Sequence, residues 1–172
     1  MSAPEIVLVA GVSGSGKTTV GRLLAHRLGW DYAEADDFHS PANVAKMRAG
    51  TPLTDADRGP WLDAIAAWAD DRLATGRPGV VTCSALKRAY RARLTHGRDG
   101  IRIVLLDGDP ELLAARIQAR SGHFFDPALL ESQLATLEPP APGEDVLTVS
   151  VAGTPDEITD RILRELALPT PA

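Results

Sequence analysis

The sequence has little cysteine, no long apolar run and no excess of basic residues. Cys83 is the single cysteine in 172 residues, which excludes an intrachain disulfide and a four-cysteine metal site. The apolar stretch "IVLVA" that follows "MSAPE" is five residues, too short for a signal-peptide core or a membrane span. The expectation is a cytoplasmic protein without a membrane partner. Lys and Arg number 18 against 23 Asp and Glu, a net charge of −5. That balance argues against a nucleic-acid partner, yet leaves room for a local basic cluster around a small anion. Internal repeats and low-complexity blocks are also missing, so a solenoid or array is not indicated. What remains is 44% hydrophobic and 24% charged, the profile of one ordinary globular domain with a real core.

The pattern along the chain alternates between two periods. "EIVLVAG" is a short continuous apolar run ending in glycine, as in a strand buried on both faces. "KTTVGRLLAHRLG" places Val20, Leu23, Leu24 and Leu28 at helical spacing and stops at Gly29. "WDYAEADDFH" reads as a second strand entering an acidic loop. "SPANVAKMRAG" predicts a helix with Ser40 as N-cap and Pro41 at its first position. A polar loop then leads to Pro60, after which Trp61, Leu62, Ile65, Trp68 and Leu73 outline an amphipathic helix ending at Gly76. "GVVTCSA", "IRIVLLDG" and "VLTVSVAG" read as further strands. "LKRAYRARLT", "DPELLAARIQARSG", "DPALLESQLATLE" and "TPDEITDRILREL" read as further helices. Strands alternating with helices predict a three-layer α/β domain with about five parallel strands covered on both faces.

The segment Gly11–Val12–Ser13–Gly14–Ser15–Gly16–Lys17–Thr18 matches G-x-x-x-x-G-K-[ST], between a predicted strand and a predicted helix. Glycines let the backbone approach phosphate closely. The loop N–H groups of Gly11, Ser13, Gly14, Ser15 and Gly16 are expected to form an anion nest, which the helix N-terminus at Thr18 and Thr19 reinforces. Lys17 is expected to reach the terminal phosphates, and the Thr18 hydroxyl to hold Mg²⁺. A P-loop therefore implies a nucleoside triphosphate, ATP, with Mg²⁺. It leaves open whether the γ-phosphate goes to water, to a metabolite, or is only sensed.

Ligands of open parallel sheets bind beyond the carboxyl ends of the strands. Glu34, Asp36 and Asp37 fall there, after the second strand. A carboxylate at that edge can deprotonate a hydroxyl acceptor or join a Mg²⁺ shell. Asp36 is the expected base and metal contact, with Asp37 second. Asp107, after "IVLL", imitates a metal-binding aspartate but is read as a loop residue. Cys83 is read as a small buried residue.

The blocks "DDFHSPANVAKMRAGTPLTDADRGPWL", "CSALKRAYRARL" and "RSGHFFDPALLESQLATLE" resemble the gluconate kinase (gluconokinase) family, and with the P-loop they span most of Gly11 to Glu138. The resemblance implies ATP-dependent phosphorylation of D-gluconate at its 6-hydroxyl. It implies the fold of nucleoside-monophosphate and shikimate kinases, a substrate-binding segment over about residues 38–75, a mobile lid over about 120–137, and a homodimer. A sugar acid needs cationic donors for its carboxylate and polar groups for its hydroxyls. Candidates are His39, Asn43, Arg48, Arg58, Lys87, Arg91 and His123, whereas Lys46, Arg88 and Arg93 are read as surface charges. By analogy with the lids of similar kinases, Arg116 serves the adenine side and Arg120 stabilises the transferring phosphoryl group. The alternatives are a kinase of another small hydroxy acid such as shikimate, and a nucleotide-dependent switch or binding module.

Overall fold

The structure is a computed structural model that describes residues 4–119 and 127–169. Its strands are β1 (Ile6–Ala10), β2 (Asp31–Glu34), β3 (Gly79–Thr82), β4 (Ile101–Asp107) and β5 (Val146–Ser150). Its helices are α1 (Lys17–Leu28), α2 (Pro41–Arg48), α3 (Asp55–Thr75), α4 (Arg88–Thr95), α5 (Pro110–Ala119), α6 (Pro127–Thr136) and α7 (Pro155–Glu165), with a 3₁₀ turn over Ala35–Phe38. All strand pairs are parallel and the order is β2-β3-β1-β4-β5, so β1 is central.

The central strand shows why the chain forms three layers. Every residue of Ile6–Ala10 is buried. Side chains alternate across a strand. Val7 and Val9 join a core with Leu24, Leu113, Ile158 and Ile162 from α1, α5 and α7. Ile6, Leu8 and Ala10 join a second core with Leu62, Ile65 and Leu94 from α3 and α4. Burying one such aliphatic side chain stabilises the fold by about 1.5–3 kcal/mol, so both faces of β1 demand cover.

Local chemistry sets most of the helix ends. Gly29 takes φ 68° beyond α1 and its N–H satisfies the carbonyls of Ala25 and His26. Ser40 caps α2 by accepting from the Asn43 N–H at 3.1 Å. The expected start of α3 at Pro60 is corrected: the helix begins five residues earlier, at Asp55, and Pro60 lies inside it. The cause is a capping box. Thr54 accepts from the Asp57 N–H at 3.1 Å, and Asp57 accepts from the Thr54 N–H at 2.9 Å. Pro60 forfeits a single helical hydrogen bond, which the box and the buried face of Trp61, Leu62 and Ile65 outweigh. Among the described residues no helix is long and apolar enough to cross a membrane.

Candidate active site

The glycine loop joins β1 to α1 as its sequence predicts. Gly14 and Gly16 take φ 79° and 95°, conformations open to glycine. A Cβ on Gly14 would also lie 2.1 Å from Ile117 Cγ1, so α5 rests directly on the loop. Ser13, Gly14, Gly16, Lys17 and Thr18 face a cavity of about 430 Å³ beyond the carboxyl ends of β1, β2 and β3. The Lys17 ammonium donates to the Val12 carbonyl at 3.1 Å, which holds it across the loop. Ser15 differs from its loop neighbours. It is fully buried, its N–H donates to the Val12 carbonyl at 3.2 Å, and its hydroxyl faces the Gly11 Cα. Thr19 is exposed on α1 outside the cavity lining.

Opposite the loop, the 3₁₀ turn after β2 presents Asp36 to the same cavity, with Glu34 beside it. Asp37 does not line it. His39 and Arg58 do, along with Met47, Leu53 and Trp61. His39 stacks on Trp61 with ring centroids 4.4 Å apart and planes 9° from parallel. The Trp61 N–H donates to the Ala35 carbonyl at 2.7 Å, so α3 braces the turn that carries Asp36. Arg58 donates to the Leu53 carbonyl at 3.0 Å. Asn43 stays out of the cavity. Its buried amide donates to the Asp57 carbonyl at 3.0 Å and meets His39 Nδ1 at 3.3 Å, which fixes the ring from behind.

Burial holds the His39 imidazole below its ordinary value. The Asp36 carboxylate opposes that shift and the Arg58 cation adds to it. Burial pushes the Cys83 thiol up to about 12; Lys17 lowers it and Asp36 raises it, so both charges act on this one wall of the cavity. The thiol is a wall and not a nucleophile. Burial first, then the Glu34 carboxylate, push Tyr32 up to about 12, with Thr82 and Thr18 opposing. The Tyr32 hydroxyl donates to Glu34 at 2.8 Å.

Other predicted contacts fall elsewhere. Arg91 is corrected: it is 1% exposed and holds the main chain rather than facing the cavity. It donates to the Ala85 carbonyl at 3.1 Å, the Leu86 carbonyl at 3.2 Å and the Glu138 carbonyl at 2.8 Å, and pairs with Glu144 at 2.5 Å. Lys87 pairs with Asp55 at 3.1 Å and Arg48 is exposed, both outside the cavity lining. Arg116 donates to the Gly153 carbonyl at 2.9 Å, in the loop between β5 and α7. Arg120 and His123 lie outside the described residues. Asp107 is exposed at the end of β4. Sequence reasoning missed Met47, Leu53, Thr82, Ser84 and Gln133, which also line the cavity. "CSA" ending the third strand was a signal for Ser84, whereas Gln133 lies in a stretch read as a helix of the lid, "DPALLESQLATLE", without being singled out.

The site suits a nucleoside triphosphate: left-handed glycines, a lysine and a helix N-terminus meet at one cavity. The expected nest is corrected in part: the Gly11, Ser13 and Ser15 N–H groups donate to the Ser84 carbonyl, Gln133 Oε1 and the Val12 carbonyl. Among the described residues no group of three or more His, Cys, Asp and Glu side chains could hold a metal ion. Thr18 and Asp36 are the groups that fit Mg²⁺, the rest of whose shell phosphate and water oxygens would supply.

Residues 6–140 match the family described as AAA domain. With its glycine loop and five-stranded parallel sheet, the chain is a P-loop kinase. It is 48% identical to the gluconokinase of Gluconobacter oxydans over 94% of this chain and 90% of that one. It is 41% identical to the thermoresistant gluconokinase of Escherichia coli over 86% and 85%. A solved gluconokinase from Sinorhizobium meliloti superposes with TM-score 0.85 at 44% identity, over 97% of this chain and 94% of that one. The chain belongs to the gluconokinase family. A shikimate kinase from Aquifex aeolicus shares the fold alone, at TM-score 0.58 and 19% identity over 94% of this chain and 96% of that one.

Proposed function

We propose that the chain transfers the γ-phosphoryl group of ATP to the 6-hydroxyl of D-gluconate, giving 6-phospho-D-gluconate and ADP. The observation that carries this reading is one cavity lined by the glycine loop on one side and by Asp36, His39 and Arg58 on the other. Membership of the gluconokinase family supplies the substrate.

Asp36 is assigned as the base that takes the proton of the attacking hydroxyl. The hydroxyl oxygen forms the new bond to phosphorus as the bond to the ADP oxygen breaks. Lys17 turns from the Val12 carbonyl to the transferring phosphoryl, whose charge it offsets. Mg²⁺, held by Thr18 and Asp36, supplies further charge neutralisation when bound. Arg58 is assigned to the sugar-acid carboxylate. His39, whose burial favours the neutral imidazole, is assigned to a hydroxyl. Arg116 is assigned to the adenine side, Arg120 to the transition state and His123 to the substrate, as the family resemblance implies. The same resemblance supports a cytoplasmic homodimer; sedimentation of the purified protein reads the dimer.

The test is ADP release with D-gluconate, other sugar acids and shikimate as acceptors. Gluconate is expected to stimulate release far above background and above every other acceptor. Release that ignores gluconate would sink the proposal.

A further inference from the structure

Two helices that flank residues 120–126 both rest on the phosphate loop, at adjacent residues. From α5, Ile117 covers Gly14 so closely that a Cβ there would lie 2.1 Å from it. From α6, Gln133 makes a reciprocal contact with Ser13. Its Oε1 accepts from the Ser13 backbone N–H at 2.6 Å, and its Nε2 donates to Ser13 Oγ at 2.9 Å. The two residues are 120 positions apart and both line the cavity.

A second anchor fixes where Gln133 can sit. Immediately after α6, the Glu138 N–H donates to the Leu86 carbonyl at 2.8 Å, and the Glu138 carboxylate accepts from the Arg88 N–H at 2.8 Å. Leu86 and Arg88 follow β3, whose end supplies Thr82, Cys83 and Ser84 to the cavity wall. The α6 segment therefore spans from the loop after β3 to the loop after β1. A glycine-rich loop loses much conformational entropy on ordering. Of its three cavity-facing positions ahead of Lys17, Ser13 is the one with a side chain that a neighbour can hold.

We propose that Gln133 is a positioning residue of the phosphate loop. Its amide sets the backbone and hydroxyl of Ser13, so the loop is ordered before nucleotide arrives and its position is tied to α6. The consequence for activity rests on the kinase reading; the consequence for nucleotide binding does not. A glutamine suits this role better than a glutamate. It supplies both an acceptor and a donor, and it adds no negative charge to a cavity built for phosphate.

The test is calorimetric binding of MgATP without any acceptor, on Gln133→Met, Ser13→Ala and the double variant. Met keeps the length and helix propensity of Gln and removes both polar groups. Gln133→Met is expected to weaken MgATP binding by about tenfold, the scale of one or two net hydrogen bonds, with the melting temperature within about 2 °C of the parent. Ser13→Ala is expected to add little on the Gln133→Met background, because its hydroxyl acts through Gln133. Gln133→Glu is expected to bind MgATP more weakly than Gln133→Met. In the unsubstituted, nucleotide-free protein the Ser13 amide is expected to resist hydrogen exchange, a readout that needs no variant. Unchanged affinity, multiplicative effects of the two substitutions, or a fall in melting temperature alone would each overturn the proposal. So would tighter binding in Gln133→Met, which would make the amide a competitor of phosphate. Normal MgATP coupling with no gluconate-stimulated turnover would instead fault the proposed reaction.

Discussion

Arg91 separates two physical roles that its charge alone cannot distinguish. As a substrate contact its loss would raise the KM for gluconate. The structure makes it an anchor of the main chain instead. Its side chain is 1% exposed and is bound to three main-chain carbonyls and to Glu144. Replacing it with methionine keeps most of the volume and removes every donor. Removing one partner of a buried ion pair costs about 3–5 kcal/mol. The Glu144 side chain is 20% exposed and can turn towards water, which favours the lower end, about 3 kcal/mol. For a chain of this length each kcal/mol shifts the melting temperature by about 2–4 °C, so Arg91→Met is expected to melt about 6–12 °C lower. Differential scanning calorimetry reads the loss, and steady-state kinetics well below the transition reads gluconate affinity. The expected KM stays within about twofold of the parent, because Arg91 lies behind the cavity wall and large binding losses follow direct contact. A melt unchanged within about 2 °C, or a tenfold rise in KM at unchanged stability, would refute the assignment.

Asp36→Asn is expected to lower turnover by about 10²–10⁴, the usual contribution of a general base, and to weaken MgATP binding far less, because Thr18, phosphate and water oxygens keep the rest of the Mg²⁺ shell. Asp37→Asn, whose side chain is outside the cavity, is expected to be near normal in the same assay, and the opposite pattern would exchange their roles. Gly14→Ala forces an alanine to φ 79° and a Cβ against Ile117, so nucleotide binding measured by fluorescence displacement is expected to fall at least about tenfold. Adding Ile117→Ala is expected to recover part of the loss, since the clash goes and the backbone strain stays; full recovery would mean that strain is unimportant. The Lys46 ammonium, followed by the Thr54 N–H, holds the Asp57 carboxyl down at about 2 against an ordinary 3.8. The unfolded chain therefore takes up this proton first as pH falls, and the stability contributed by the Asp57 carboxylate, through Lys46 and then the capping box, is full above about pH 4 and fades towards pH 2. Melting temperatures between those limits should fall less steeply for Asp57→Asn than for the parent; parallel slopes would show that Asp57 is not the group titrating.

The phosphate end of the site was legible in the sequence because it is made of consecutive residues. Gly14 and Gly16 supply the left-handed turns of the loop, and Lys17 and Thr18 follow directly. The layers and the number of strands were largely legible too, since continuous apolar runs alternate with helical spacing, whereas the strand order came from the fold. Helix ends were legible where a cap lies within four residues, as at Ser40 and Gly29. At α3 the proline misled, because Thr54 and Asp57 form a reciprocal pair that outweighs one missing N–H. The side of the cavity facing the glycine loop needed the fold. His39 is aimed by Asn43 and Trp61 together, and the cavity wall draws Met47, Thr82 and Gln133 from three separate segments. Arg91 and Arg58 look alike in a sequence. One points into the cavity while the other meets Glu144, 53 residues on, and three carbonyls. An arginine fork recognises a substrate carboxylate and a protein carbonyl by the same hydrogen bonds, so its role is decided by what the tertiary structure places in front of it.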